Sequence, residues 1–304
     1  MSVGNAYTHF VPVRLSRSAA GWGDNDFVAV GGIFGINPGA GRFYGFFGAA
    51  SADYGYRCGV GARTGTFKEY FHRRREKEEK MAMTCGKCAH MGLGFYSDTI
   101  GPVEYLEGKT SADIWIVGLN PKHDIGHVEQ RTPAEFAAFD PDCHPYFWDF
   151  RKVSPALYAN WKGPNSRIAH TDLVKCFSPS FPAVVLVNGS PTEVDSKQVV
   201  TNCSTHLLEQ IRRFRPKVII CNGAPVCYTV MGFFPPNNEA QTNRATSYKY
   251  ELDLGNGSKH SLWLVFSGFI GRIDNWNRRR LGVEIEDILA SEGIELHSGT
   301  SSYS

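Results

Sequence analysis

The sequence predicts an α/β fold, a three-layer sandwich whose central, mostly parallel sheet lies between helices on both faces. Two observations lead there. The runs "ADIWIVGL", "IAHTDLVKCF" and "PKVIICNG" are short, apolar and bounded by turn residues, which marks buried strands. Helical segments separate and follow them, and strands alternating with helices imply a parallel sheet covered on both sides. Ligands of such sheets bind at the carboxyl ends of the strands. That rule puts Asn120, Cys176 and Ser267 on one functional edge.

The first strand ends in the stiff turn "GLNP", followed by Lys122 and His123. In "TPAEFAAF", Thr132 is the expected N-cap, Pro133 the first helical residue and Glu135 the third residue after the cap. "NCSTHLLEQIRRF" carries Leu207, Leu208, Ile211 and Phe214 at helical spacing and stops before Pro216. "APVCYTVMGF" reads as a short helix after the third strand. "YKYELDLGNGSKHSLWLVF" reads as two strands around a Gly-Asn-Gly turn, and "RLGVEIEDILASEG" as a closing amphipathic helix.

Composition sets outer limits. The chain has 304 residues, 42% of them hydrophobic, enough for a sizeable core. No apolar stretch reaches the length of a membrane span, and the N-terminus lacks the apolar segment of a signal peptide. A soluble, cytoplasmic, monomeric protein with no membrane partner is expected. A net charge of +2 does not by itself declare a nucleic-acid partner, but "HRRREK" at 72–77 and "NRRR" at 277–280 are local basic clusters. Eight cysteines in an intracellular chain point to metal ligands, catalytic groups or buried thiols before disulfides.

Residues 1–80 stand apart from a domain spanning 81–304. They hold 14 of the 32 glycines, many beside aromatics, without a sustained period. A poorly ordered extension and a small added subdomain both fit. A second Gly-x-Asn-Pro, in "GIFGINPGAG" at 32–41, lacks comparable downstream context and is read as coincidence.

Four blocks in order resemble the uracil-DNA glycosylase superfamily, and specifically its iron–sulfur branch, family 4. They are "CGKC" (85–88), "IWIVGLNP" (114–121), "TDLVKC" (171–176) and "NCSTHLLEQIRRFRPKVIICNG" (202–223). The resemblance spans about residues 84–290 and implies a uracil-DNA glycosylase-like sandwich acting on DNA. It also implies a structural [4Fe–4S] cluster held by Cys85, Cys88, Cys176 and Cys203. A four-cysteine zinc site is the alternative, though zinc ribbons favour two close pairs and Cys176 and Cys203 lie 27 residues apart. Cys58, Cys143, Cys221 and Cys227 are then ordinary thiols.

Such an enzyme cuts the bond between deoxyribose and a flipped-out base, so it must position a water and stabilise a departing base. By the resemblance Asn120 occupies the water-holding position, where family 4 usually has Glu; an amide can position water but cannot take its proton. His123 is the next catalytic candidate. Lys122 stands where strict uracil enzymes close the space beside C5 with a tyrosine. It either contacts a base substituent or phosphate, or is simply a solvated lysine. Asp172 replaces the family's base-reading Asn. An ionised carboxylate only accepts, which suits the N4 amino group of cytosine, whereas a protonated one would mimic Asn and read uracil. A strand-end Asp capping a loop is the plain alternative. Phe147, then Trp148, in "HPYFWDF" are candidate stacking platforms, unless they are core.

After the last strand the family's His-Pro turn is missing. Ser267-Gly268 stand there, so Ser267 and backbone N–H groups are the remaining donors. Arg272, Arg278, Arg279 and Arg280 are expected to grip phosphates, with Ile270 or Trp276 as a wedge, unless the run is a solvated face. An open C5 side at Lys122 and an acceptor at the N4 edge in Asp172 together point to a monomeric DNA glycosylase for a modified cytosine, as found in bacteriophage DNA, serving host defence. Its expected partner is DNA containing the target base, with no membrane. An ordinary uracil glycosylase of repair and a non-catalytic DNA-binding relative are the alternatives.

Overall fold

The computed structural model describes residues 85–97, 99–121, 132–161, 166–178, 180–236, 246–255 and 257–296. The Gly-rich segment 1–80, the second Gly-x-Asn-Pro, Cys58, Lys122 and His123 lie outside the described residues.

Six strands form one sheet in the order β1-β3-β2-β6-β8-β7. They are β1 (Glu107–Gly108), β2 (Ile114–Gly118), β3 (Ile168–Asp172), β6 (Val218–Asn222), β7 (Ser247–Asp253) and β8 (Lys259–Ser267). The four central strands are parallel, and β1 and β7 pair antiparallel at the edges. A separate hairpin, β4 (Val184–Val187) and β5 (Ser190–Glu193), was not foreseen. The α/β architecture with a mostly parallel sheet is therefore the one the sequence predicts.

Alternation along each strand divides the core. Ile114, Ile116, Ile168, Val218 and Ile220 face one side, with Phe147, Phe150, Leu157, Ile285 and Ile288. Trp115, Val117, Ile219 and Cys221 face the other, with Val199, Cys203, Leu207 and Ile211. Helix α1 (Pro133–Ala137) packs Phe136 into a separate cluster with Phe95, Tyr96, Ile100 and Tyr105 beside β1. The first side is covered by short helices α2 (Pro145–Trp148), α3 (Phe150–Val153) and α4 (Pro155–Ala159), and by α7 (Asn275–Ser291). The second is covered by α5 (Ser196–Phe214) and α6 (Ala224–Phe233). All ten β2 and β3 residues are buried, as expected of parallel strands covered on both faces.

Local signals account for the helix ends. Thr132 and Glu135 form the reciprocal capping box of α1, with Thr132 Oγ1 3.3 Å from the Glu135 N–H. Asp195 caps α5 by accepting from Lys197 and Gln198, so that helix begins six residues before the Asn202 start suggested by its motif. It ends at Arg215, whose left-handed backbone precedes Pro216. Helix α7 packs close to α3 because Gly282 leaves no Cβ to collide with the Val153 carbonyl. Among the described residues, no helix is long and apolar enough to cross a membrane.

Candidate active site and thiol cluster

Parallel pairing brings the predicted turn and base-reading strand together. Gly118 pairs with Asp172, and the ladder continues past the strands through Leu173 N–H to Gly118 O and Val174 N–H to Leu119 O. Asn120 sits just beyond, partly buried. Its Nδ2 donates to the carbonyls of Pro121 (3.1 Å) and Ser178 (3.0 Å). Both amide hydrogens are thereby used inside the protein, and Oδ1 is left as the group that can receive a hydrogen from water.

Asp172 is 4% exposed and belongs to a buried ionisable network. The Tyr105 hydroxyl donates to its Oδ2 (3.0 Å), while Oδ1 lies 3.7 Å from His170 Nε2. His170 Nδ1 lies 2.7 Å from Glu107 Oε2, a pairing made possible because β1 sets Glu107 opposite His170. Lys175 Nζ donates to Thr171 Oγ1 (2.6 Å) and to the Asp172 carbonyl rather than to its carboxylate. Burial pushes the Asp172 carboxyl above its ordinary range; the His170 charge opposes that and Glu107 adds to it. Burial works to lower His170, but Asp172 and Glu107 outweigh it and hold the imidazole above its ordinary value. Burial lowers Lys175 to about 7.

Gly118 matters to this arrangement. A Cβ there would meet Asp172 Oδ1, with His170 Nε2 at 2.9 Å and the Tyr146 hydroxyl at 3.0 Å. Three polar groups thus converge over a residue that has no side chain. The Tyr146 hydroxyl accepts from Asn222 Nδ2 (2.6 Å), and Asn222 Oδ1 accepts from the Ile270 N–H (2.8 Å). One amide at the end of β6 therefore joins the α2 wall to the loop after β8. Tyr146 also lies 5.8 Å, centroid to centroid, from Phe269, which is 40% exposed on that loop.

The remaining candidates are placed unevenly. Phe147 is 4% exposed and enclosed by edge contacts with Phe139, Tyr146, Trp161 and His170, so its ring is part of the core. Trp148 is exposed, with Nε1 donating to the Asp142 carbonyl. Ser267 Oγ donates to the neighbouring Gly268 carbonyl, while its own carbonyl accepts from Gly223 N–H. Ile270 is 1% exposed and is a core residue rather than a wedge; Trp276, at 76%, projects outward. Arg278 corrects the phosphate assignment. It is buried, with Nε donating to Ile270 O (2.9 Å), Nη1 to Asn275 Oδ1 (2.9 Å), and Nη2 3.5 Å from Asp149. Arg272, Arg279 and Arg280 are exposed. Arg280 Nη1 lies 3.4 Å from Glu284 Oε2, and the Arg272 guanidinium lies 6.0 Å from the Phe269 ring centroid.

Three of the four predicted cluster ligands are buried together. Cys88, Cys176 and Cys203 come from the loop before the sheet, the segment after β3, and α5; hydrogen bonds from Cys176 and then Cys203 hold the Cys88 thiol far below its ordinary range, at about 3. Further donors reach the sulfurs: Lys175 N–H to Cys203 Sγ and Asn202 Nδ2 to Cys88 Sγ, each at 3.4 Å. Cys85, half-buried, lies 3.4 Å from His206 Nε2. Lys87 Nζ donates to Thr205 Oγ1 (2.8 Å), fastening the Cys-x-x-Cys loop to α5. Among the described residues, no group of three or more His, Cys, Asp or Glu stands in a closed metal-binding arrangement. The donor chemistry of the three buried thiols fits a thiolate-held group, with Cys85 Sγ beside His206. Cys221 is a buried free thiol and Cys227 a partly buried one, whereas Cys143 is disulfide-bonded and so departs from the thiol expectation.

Sequence reasoning missed His170, Glu107, Tyr105, Tyr146 and Asn222. His170 had a signal, since two residues before Asp172 on a strand means the same face.

A mostly parallel sheet with polar groups gathered at its carboxyl edge defines an α/β protein with a candidate site at that edge. Residues 106–250 match the family model of the Uracil DNA glycosylase superfamily and form a domain of that superfamily. No curated protein matches the chain.

Proposed function

We propose that the protein is a DNA glycosylase that extrudes a pyrimidine base from DNA and hydrolyses its glycosidic bond, leaving an abasic site. Superfamily membership supports glycosylase-type chemistry on DNA. The observation that carries the reading is Asn120: both its amide hydrogens are spent on Pro121 and Ser178, so Oδ1 is fixed as an acceptor beside the strand end. Such a group orients a water under the sugar and lowers the entropic part of the barrier. It cannot abstract the proton, which passes to the departing base or to solvent.

The favoured substrate is a modified cytosine, because an ionised Asp172 offers the N4 amino group an acceptor. Bases of this kind occur in bacteriophage DNA, and host defence is the proposed role. A second reading, ordinary uracil excision, has its own support: burial raises the Asp172 carboxyl, and a protonated Asp172 would donate to uracil O4. Cys85, Cys88, Cys176 and Cys203 would hold a [4Fe–4S] cluster that ties the loop before the sheet to α5 and the β3 exit. Incubation with defined duplexes carrying uracil, cytosine or modified cytosines, followed by alkali, tests the activity. Strand cleavage at the modified cytosine supports the proposal. Cleavage only at uracil selects the second reading, and no cleavage at any base leaves a DNA-binding relative.

A further inference from the structure

His170 Nε2 is the buried polar atom the glycosylase reading leaves unexplained. It has no hydrogen-bond partner, yet it points toward Asp172 Oδ1 at 3.7 Å across the space above Gly118. We propose that His170 is a specificity-determining residue: anchored by Glu107, it carries a proton on Nε2 that keeps Asp172 an ionised acceptor and so selects bases with a 4-amino group. This rests on the glycosylase reading and assigns its base choice to a residue that does not touch the base.

The geometry favours this state. The near side of the ring, Nδ1, faces the Glu107 carboxylate at 2.7 Å and donates to it. If Nε2 were bare, its lone pair would face a carboxylate oxygen with no hydrogen between them, which is unfavourable in a site closed to water. A proton on Nε2 converts that opposition into attraction. The alternative position for the same proton is Asp172 Oδ1. Ordinary imidazole holds a proton more tightly than an ordinary carboxylate by about 2.6 pKa units. The Tyr105 hydroxyl, donating to Oδ2, further favours the ionised carboxylate.

The other groups facing the ring leave the assignment intact. From α2, Tyr146 and Phe147 pack against it at 5.7 Å and 4.9 Å between centroids. Burial and the Asp172 charge push the Tyr146 phenol upward, so it stays neutral. Lys175 is committed to Thr171 and to the Asp172 carbonyl. Glu107 and Asp172 are thus the two anions between which one imidazolium is held.

The test has one arm independent of substrate. Full-length protein labelled with ring-¹⁵N histidine would be followed by NMR, with His170 identified by the signals lost in His170→Gln. Both ring nitrogens should be protonated at pH 7 and should titrate above the ordinary value, and Glu107→Gln should lower that point. A neutral His170 at pH 7 overturns the proposal. The second arm measures binding of the Asn120→Ala protein to duplexes containing 5-hydroxymethylcytosine or 5-hydroxymethyluracil, which share the C5 substituent and differ at C4 and in the hydrogen on N3. About a tenfold preference for the amino base is expected, falling to near parity when His170→Gln or the near-isosteric Glu107→Gln is added. A preference unchanged within twofold in variants that still melt cooperatively overturns the selective role. Failure to bind either duplex above plain DNA overturns the glycosylase reading and the base selection drawn from it, while the NMR result still decides the charge on His170.

Discussion

The carboxyl ends of β2 and β3 and those of β6 and β8 open onto the same edge but are furnished differently. At the first pair Glu107, His170, Asp172 and Lys175 are all buried, and each hydrogen-bonds to a neighbour within the group or beside it. At the second pair stand Asn222 and Ser267, an amide and a hydroxyl. The thiols there, Cys221 and Cys227, are pushed upward by burial and remain neutral. The difference separates two tasks. On the proposed function, ionisable groups stand where one base edge must be told from another, and the wall opposite contributes dipoles and shape. At the strand ends on that side a departing base anion would meet the Asn222 amide, the Ser267 hydroxyl and backbone donors, which is weaker assistance than the missing histidine would give.

The comparison is open to experiment. The largest expected effect is on the ionisable side: Asn120→Ala should slow the single-turnover excision step by at least about 100-fold while DNA affinity changes little. An unchanged rate would move the catalytic role elsewhere, with His123 the next residue to replace. Asp172→Asn should cost about ten- to a hundredfold on the cytosine-type base and gain activity on uracil, as one hydrogen bond of this kind is worth about 1–3 kcal/mol. Loss on both bases alike would show that Asp172 only supports the fold.

Beyond β8, the effect of Arg278 should fall on stability and that of Arg279 on DNA binding. Arg278→Ala removes a buried guanidinium bonded to Ile270, Asn275 and Asp149, and should destabilise by about 2–4 kcal/mol in a denaturant titration. Arg279→Ala, at an exposed position two residues from the outward Trp276, should leave stability within about 0.5 kcal/mol and reduce the salt dependence of DNA binding by about one unit of slope. If Arg278→Ala weakens DNA binding without loss of stability, its buried contacts are not its role.

The smallest expected effect is a pH dependence. His170 is raised in the folded state, so the stability it contributes is fully present below the ordinary value of 6.5 and is lost as pH rises through the folded value. The stability gap between wild type and His170→Gln should therefore narrow on going above pH 6.5. A gap constant across that window would mean His170 carries no extra charge in the folded protein.

Much of the frame was legible because its signals are local. The strand run at 114–118, the Thr132–Glu135 box and the spacing of Leu207, Ile211 and Phe214 each lie within a few residues. Glu107 was not legible: β1 is two residues long, and its partner His170 lies 63 residues away. The burial of Phe147 was not legible either, since the short α2 buries that ring and leaves Tyr146 before it only partly buried. Arg278 could have been read correctly. It precedes Leu281, Ile285 and Ile288 at helical spacing, which puts it on the apolar face of α7 despite its basic neighbours.

Asn222 carries a consequence for redesign. Its one amide gives a hydrogen to Tyr146 on one lip and takes one from the Ile270 backbone on the other. The lips are keyed to each other as parts of one lock, though they lie more than a hundred residues apart in the chain. Substitutions made on one lip to admit a bulkier base will then shift the other, and their effects will not add. Libraries that vary Tyr146 and the 268–273 loop together should yield new specificities that libraries varying either alone miss.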